Sequence, residues 1–325
     1  MAFCDTLDPE LRDGLAQLSV LFPTAWSDLE APARRQLAQP PVIAANGVHD
    51  LHPVRWSETN AGDAVRVRVY RPLHEVSDAP GALLIHGGGM WAGSLDSEHP
   101  QAVDLVRSTG MVVVSVDYRL APEHRYPAAV DDTTAAWDWL VANAAQLGAD
   151  PSRLAIVGGS AGGGLAVATA LRVRDGGGPQ PAFLLAYYPM LDSTNSSPST
   201  RLDVPFPLWT GEANEEGWRW YLGDQEPTGY ASPTHAATLS GLPPTFLDVG
   251  DHDIFVDEVT SFAARLRVEG VATELHVYPG VFHAAEHIAP TARISSQIAN
   301  NRLAAIARVL NTAPVPAPAP DTVLS

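Results

Sequence analysis

The chain has 325 residues, 46% of them hydrophobic, which is ample for one large core and leaves room for a second domain. Net charge is −17, from 20 basic and 37 acidic residues, and such a surface repels phosphate backbones and anionic lipid, so neither nucleic-acid nor membrane binding is expected. All twenty basic residues are Arg and none is Lys, which excludes P-loop, Schiff-base and Ser-x-x-Lys chemistry and leaves His, Asp or Glu as the base for any activated nucleophile.

The N-terminus, "MAFCDTLDPELRD", is acidic and lacks the positive region and apolar stretch of a secretory signal. No apolar run reaches the roughly 20 residues of a membrane helix. Cys4 is the one cysteine, so no intrachain disulfide can form, and a cytoplasmic protein is expected. Residues 1–50 carry Leu7, Leu11, Leu15 and Leu18 at roughly helical spacing and predict one or two short helices. "VRVRVY" (65–70) alternates strictly and predicts an edge strand with one wet face. "ALLIH" (82–86) and "MVVVSVD" (111–117) are continuous apolar runs, as in strands buried on both faces. Residues 131–147 predict a helix, 153–158 a buried strand and 161–174 a helix that stops at "DGGG". Strands follow at 183–188, 244–250 and 273–278, with helices at 257–269 and 291–310. The alternation predicts an α/β fold: a mostly parallel twisted sheet with helices on both faces.

Two stretches break the rhythm. Residues 193–225 predict no strand and carry Trp209, Trp218, Trp220 and Tyr221, well above the chain's 7% aromatic content. The stretch is a lid candidate over the sheet, and its aromatic residues could equally anchor it to the core. The tail "APVPAPAPDTVLS" (313–325) is Pro/Ala-rich and has the composition of a disordered segment.

The chemistry gathers at strand ends. "GGSAG" (158–162) fits G-x-S-x-G, directly after a buried strand and before a helix, as a nucleophile elbow requires. That context puts the Ser160 hydroxyl at a helix N-terminus, where N–H groups favour developing negative charge. "HGGG" (86–89) ends an earlier strand and offers backbone N–H groups to an oxyanion, joined by the N–H of Ala161 after the serine. A serine needs a base, and the base an orienting acid. "VGDHDIFVDE" follows one late strand with Asp251, Asp253 and Asp257, and "YPGVFH" follows the last with His283. His252 also follows a late strand but would leave no orienting group further along.

"VFHAAEH" (281–287) also spells H-x-x-E-H, the spacing of inverted zinc peptidases. A zinc site would need a helix starting near His283 and a third ligand. A strand and a turn precede His283, and after His287 Asp321 is the one remaining acid, with no His or Cys. No metal or other cofactor is expected, and Glu286 and His287 are expected to be neighbours of the site or solvated.

With "HGGG", "DYRLAPEHRYPAA", "GGSAGGG", "WYLG", "ASPTHAATLSGLPPTFL", "GDHDIFVDE" and "YPGVFH" in this order, the chain resembles the bacterial hormone-sensitive-lipase family of carboxylesterases. "TLDPEL" (6–11) extends the likeness to heroin-type bacterial esterases. The resemblance implies an α/β-hydrolase fold with a helical cap: cap helices in 1–50 and a catalytic domain over 51–312, with 193–225 inserted above the site. It implies Ser160 as nucleophile, His283 as base, Asp253 as acid, and Gly87, Gly88 and Ala161 as oxyanion donors. Met90, Trp91 and Trp209 are the expected substrate-pocket residues. Three positions depart from the family: Gly159 where Asp or Thr usually precedes the serine, "DIF" in place of D-P-L, and Met90 where an aromatic residue often stands. The implied activity is hydrolysis of a small-molecule ester. An amidase or peptidase on the same triad and a non-catalytic small-molecule-binding protein of this fold are the competing readings. Monomer and homodimer are both open.

Overall fold

The computed structural model describes residues 6–21, 46–48, 54–62, 64–204 and 209–312. The rest of the expected N-terminal helical region and the Pro/Ala-rich tail lie outside the described residues. Nine strands form one sheet among these residues: β1 (Asn46–Val48), β2 (Val54–Ala61), β3 (Val65–Pro72), β4 (Ala79–Ile85), β5 (Val112–Val116), β6 (Ala149–Gly159), β7 (Phe183–Tyr187), β8 (Thr245–Gly250) and β9 (Thr273–Tyr278). Their order is β1-β2-β3-β5-β4-β6-β7-β8-β9. β1, β2 and β3 pair antiparallel, as does β3 with β5, and every pair from β5 to β9 is parallel. This is the mostly parallel α/β-hydrolase sheet.

The helices are α1 (Pro9–Leu21), α2 (His99–Thr109), α3 (Ala128–Leu147), α4 (Ala161–Asp175), α5 (Gly211–Leu222), α6 (Val256–Val268), the single turn α7 (Ala285–Ile288) and α8 (Arg293–Leu310). β4, β5, β7 and β8 are buried along their whole length, so both sheet faces are covered. α3 packs on α4, and α2 on α8, to provide that cover. α2 and α3 stop where the sequence offers a glycine: Gly110 and Gly148 are left-handed, at φ 70° and 84°. α5 starts at Thr210, whose side chain accepts from the Ala213 N–H.

One expectation is corrected. "VRVRVY" is not an edge strand, because β2 and β1 lie outside it. Its alternation does not give a wet face either: Arg68 is 2% exposed. Glu58 (Nε–Oε1 3.0 Å) and Asp96 (Nη2–Oδ1 2.8 Å) neutralise the guanidinium inside the structure. β1, β2 and α2 were not anticipated from the sequence.

The sheet order positions the site. β4 lies between β5 and β6, so the chain leaves β4 in one direction and later crosses it in the other. The crevice beyond the C-terminal ends of β4 and β6 is therefore a topological switch point. Ile85 at the end of β4 pairs with Gly158 near the end of β6, which brings "HGGG" beside "GGSAG". α1 joins from the N-terminus. Leu7, Leu11 and Leu15 are buried, Asp8 N–H donates to the Gly280 carbonyl (3.0 Å), and Glu10 holds Arg293. It packs against α7, just after His283.

Candidate active site

β6 runs into Gly158 and Gly159, reverses at Ser160 and continues as α4. Ser160 sits at φ 55°, ψ −125°, a strained conformation for a residue with a side chain. The surroundings hold it there. Its N–H donates to the Tyr187 carbonyl (3.0 Å), and its carbonyl accepts from Met190 (2.9 Å) and Gly164 (3.1 Å). The turn also requires α4 to approach β4 closely. A Cβ at Gly162 would lie 2.1 Å from the Ile85 carbonyl oxygen, so only glycine fits.

Ser160 Oγ lies 3.0 Å from His283 Nε2, and His283 Nδ1 lies 2.7 Å from Asp253 Oδ2. Asp253 is fully buried, and its other oxygen accepts the Phe255 N–H at 3.0 Å. The imidazole is wedged between Tyr188 and Phe255, whose ring centroids lie 4.8 and 5.2 Å away in edge-on geometry. Three elements widely separated in sequence thus build one hydrogen-bonded chain, a triad-like arrangement. The other candidates are engaged elsewhere. His252 bonds Asp251 and Thr6, Asp251 also accepts the Gly280 N–H, and Asp257 accepts the Ser199 N–H.

The glycine loop after β4 is anchored by His86. This residue is buried, stacks on Tyr118 at 4.0 Å and bonds the Gly87 carbonyl through Nδ1. Gly87 touches the elbow: a Cβ there would stand 3.1 Å from the Gly159 carbonyl oxygen and 3.4 Å from Ser160 Cβ. Gly87, Gly88 and Gly89 line a cavity of about 450 Å³ together with Ser160, His283 and Trp209. Ala161 follows Ser160 as the first residue of α4. The pocket expectation is corrected for two residues. Met90 and Trp91 do not line the cavity; they are 1% and 3% exposed. The turn from Gly88 to Ala92, closed by the Ala92 N–H on the Gly88 carbonyl (2.9 Å), directs them into the core. Trp91 lies behind the wall, stacked on Trp209 at 6.2 Å.

The H-x-x-E-H spacing comes apart in space. His283 precedes α7, and Glu286 and His287 lie on it. Glu286 accepts from Arg302 (2.6 Å) and from the Tyr188 hydroxyl (2.9 Å). Burial opposes its ionisation, yet Arg302 and His287 hold its carboxyl down at about 2. Glu286 is thus an ion-pair partner of α8. Among the described residues no three His, Cys, Asp or Glu side chains group as metal ligands.

A model of the alpha/beta hydrolase fold family matches residues 82–287, which span the glycine loop, the elbow and His283. The chain belongs to the hormone-sensitive-lipase-like carboxylesterases of that family. It is 36% identical to carboxylesterase NlhH of Mycobacterium tuberculosis over 315 residues, covering 94% of this chain and 97% of the relative. Ethyl acetate hydrolase of Pseudomonas putida is 35% identical over 233 residues, covering 69% and 72%. Among solved structures, a bacterial heroin esterase superposes with a TM-score of 0.81 at 35% identity, covering 94% of this chain and 98% of that one.

Within this carboxylesterase the cavity wall also carries side chains that escaped the sequence reading as site residues, among them Glu98 and Gln101 at the start of α2, and Tyr187 and Tyr188 at the end of β7. His287, left open between pocket and solvent, also lines the cavity and bonds Gln101 at 2.8 Å. Gly159 was the one available signal. A Cβ there would fall 1.9 Å from Tyr187 Cε2, so the tyrosine ring occupies the place of the missing side chain. The aromatic insertion divides its labour. Trp218 and Tyr221 are buried anchors, while Trp209 faces the cavity.

Proposed function

We propose that this carboxylesterase hydrolyses short- to medium-chain acyl esters of small alcohols through an acyl-enzyme on Ser160. The observation that carries the reading is the hydrogen-bonded chain Ser160–His283–Asp253, at 3.0 and 2.7 Å, beside a glycine loop. Ser160 Oγ attacks the ester carbonyl carbon while its proton passes to His283 Nε2. Asp253 holds the Nδ1–H tautomer and balances the imidazolium charge. The carbonyl oxygen becomes an oxyanion against the N–H groups of Gly87, Gly88 and Ala161, each worth on the order of 10²–10³ in rate. The C–O bond breaks, the alcohol leaves with the proton from His283, and water releases the acid by the same route.

The acyl-length limit rests on the cavity. A volume of about 450 Å³, closed on one side by Trp209, accommodates a small ester. In this reading α1 and the 193–225 insertion act as the cap, and 51–312 as the catalytic domain. The test is a series of 4-nitrophenyl esters of rising acyl length, with Ser160→Ala as control. kcat/KM should peak at or below medium chains, and Ser160→Ala should lose roughly 10⁵–10⁶ in kcat. A Ser160→Ala variant with the parent's rate would remove the nucleophile assignment; undiminished turnover of long chains would remove the length limit.

A further inference from the structure

We propose that Glu98 and Gln101 form a polar subsite in the catalytic cavity that binds a hydroxyl group carried by the ester. The proposal rests on the ester-hydrolase reading and names the class of ester. Glu98 lines the same cavity as Ser160 and His283 and is 9% exposed. Its carboxyl has one side-chain hydrogen-bond partner among the described residues, the Tyr187 hydroxyl at 3.4 Å from Oε1. That hydroxyl has a single proton, and Gln101 Oε1 stands closer to it at 2.7 Å. One Glu98 oxygen is therefore poorly served and the other has no partner within the described residues. No cation pairs with it there. The triad does not use it.

Glu98 is thus a largely buried carboxyl with few protein partners that opens onto the cleft beside the triad, the setting in which such a group has a use. Burial pushes Glu98 up to about 8, so at neutral pH it is the neutral acid, a donor at one oxygen and an acceptor at the other. A hydroxyl matches that pairing in both directions, and the Gln101 amide stands beside it. An ammonium group would need the ionised form, which burial disfavours. A carboxylate or phosphate would meet the Glu98 and Tyr187 oxygens on a chain of net charge −17. An alkyl chain would leave the oxygens unpaired. Gly159 makes the arrangement possible. With no side chain before the serine, the Tyr187 ring lies against the elbow and carries the polar wall towards the reacting ester.

Two pairs of esters test it, each exchanging one methyl for a hydroxyl: propyl against 2-hydroxyethyl butanoate, and methyl butanoate against methyl 3-hydroxypropanoate. kcat/KM is measured by acid release, with active enzyme counted by phosphonate titration of Ser160. In at least one pair Glu98→Leu should lower the preference for the hydroxylated ester tenfold or more, the size of one good hydrogen bond. Glu98→Gln, which keeps a donor and an acceptor, should stay within about threefold of the parent ratio. If Glu98→Leu does not fold, Gln101→Leu carries the same test with the same expected direction. Unchanged ratios in both pairs overturn the subsite. Failure of the parent enzyme to turn over any of the four esters would instead overturn the hydrolase reading.

Discussion

Gly159→Ala is the sharpest perturbation of this site, because it adds one carbon where the structure has no room. The backbone at 159 is not left-handed, so alanine meets no conformational objection there. The objection is Tyr187. The added Cβ would lie 1.9, 2.4 and 2.8 Å from three atoms of its ring, against the 3.4 Å at which ordinary contact begins. The ring would have to retreat by about 1.5 Å in a close-packed interior. It is pinned from two sides. Its hydroxyl donates to Gln101 at 2.7 Å, and the Arg302 guanidinium lies 4.4 Å from its centroid. Overpacking costs ~1–3 kcal/mol, the strained hydrogen bond ~1 and the disturbed cation–π contact ~0.5–2, offset by ~0.4–1 from a stiffer unfolded chain. A net loss of about 1.5–5.5 kcal/mol follows, or roughly 2–8 °C in Tm at ~2.1 cal/mol/K per residue. The assay is thermal melting of the four corners of a cycle: parent, Gly159→Ala, Tyr187→Ala and the double variant. Removing the ring should abolish the cost of the added methyl, giving a coupling of at least about 1.5 kcal/mol. A Gly159→Ala cost under about 0.5 kcal/mol, or an equal cost in both backgrounds, would refute the reasoning.

Asp253→Asn should leave the fold intact and lower kcat by about 10⁴, because the amide favours the wrong tautomer of His283; initial rates on a butanoate ester check it, and a loss below tenfold counts against the acid's role. Arg302→Met should destabilise by about 3–5 kcal/mol, since it strands Glu286 and Asp248 in the interior. Glu286 is held at about 2 in the folded chain against an ordinary 4.5, so its stabilisation is complete above pH 4.5 and disappears as pH falls towards 2. The gap between parent and Arg302→Met in melts should therefore narrow from pH 5 to pH 2.5, and a constant gap would be inconsistent with the ion pair. Glu98 has the opposite sign: its folded value of about 8 lies above 4.5, so folding takes up a proton and stability falls as pH rises between those values. Glu98→Gln should match the parent near pH 4 and exceed it by up to roughly 4–5 kcal/mol above pH 8, and melts showing no growing difference would contradict that burial effect.

The sequence discloses what one stretch of chain decides alone. A strand buried on both faces is an unbroken apolar run, so β4, β5, β7 and β8 were readable. The elbow was readable because a serine between glycines, after a strand and before a helix, answers a local geometric demand. What stayed hidden depends on pairing between distant segments. Arg68 reads as a solvent residue, and only the folded sheet brings Glu58 and Asp96 to it. Tyr187 and Gly159 are register partners on adjacent strands, so the ring that covers the glycine is a consequence of strand alignment, which neither segment specifies alone. The same holds for "VFHAAEH". Its spacing suggested one turn of helix presenting two imidazoles to a metal. In the fold His283 turns to Asp253 and Ser160, while Arg302, arriving from α8, takes Glu286. Each half of the motif is claimed by a partner from elsewhere in the chain. Helical spacing constrains a site only where the residues lie on one helix, and a glycine turn before His283 was the local sign that these do not.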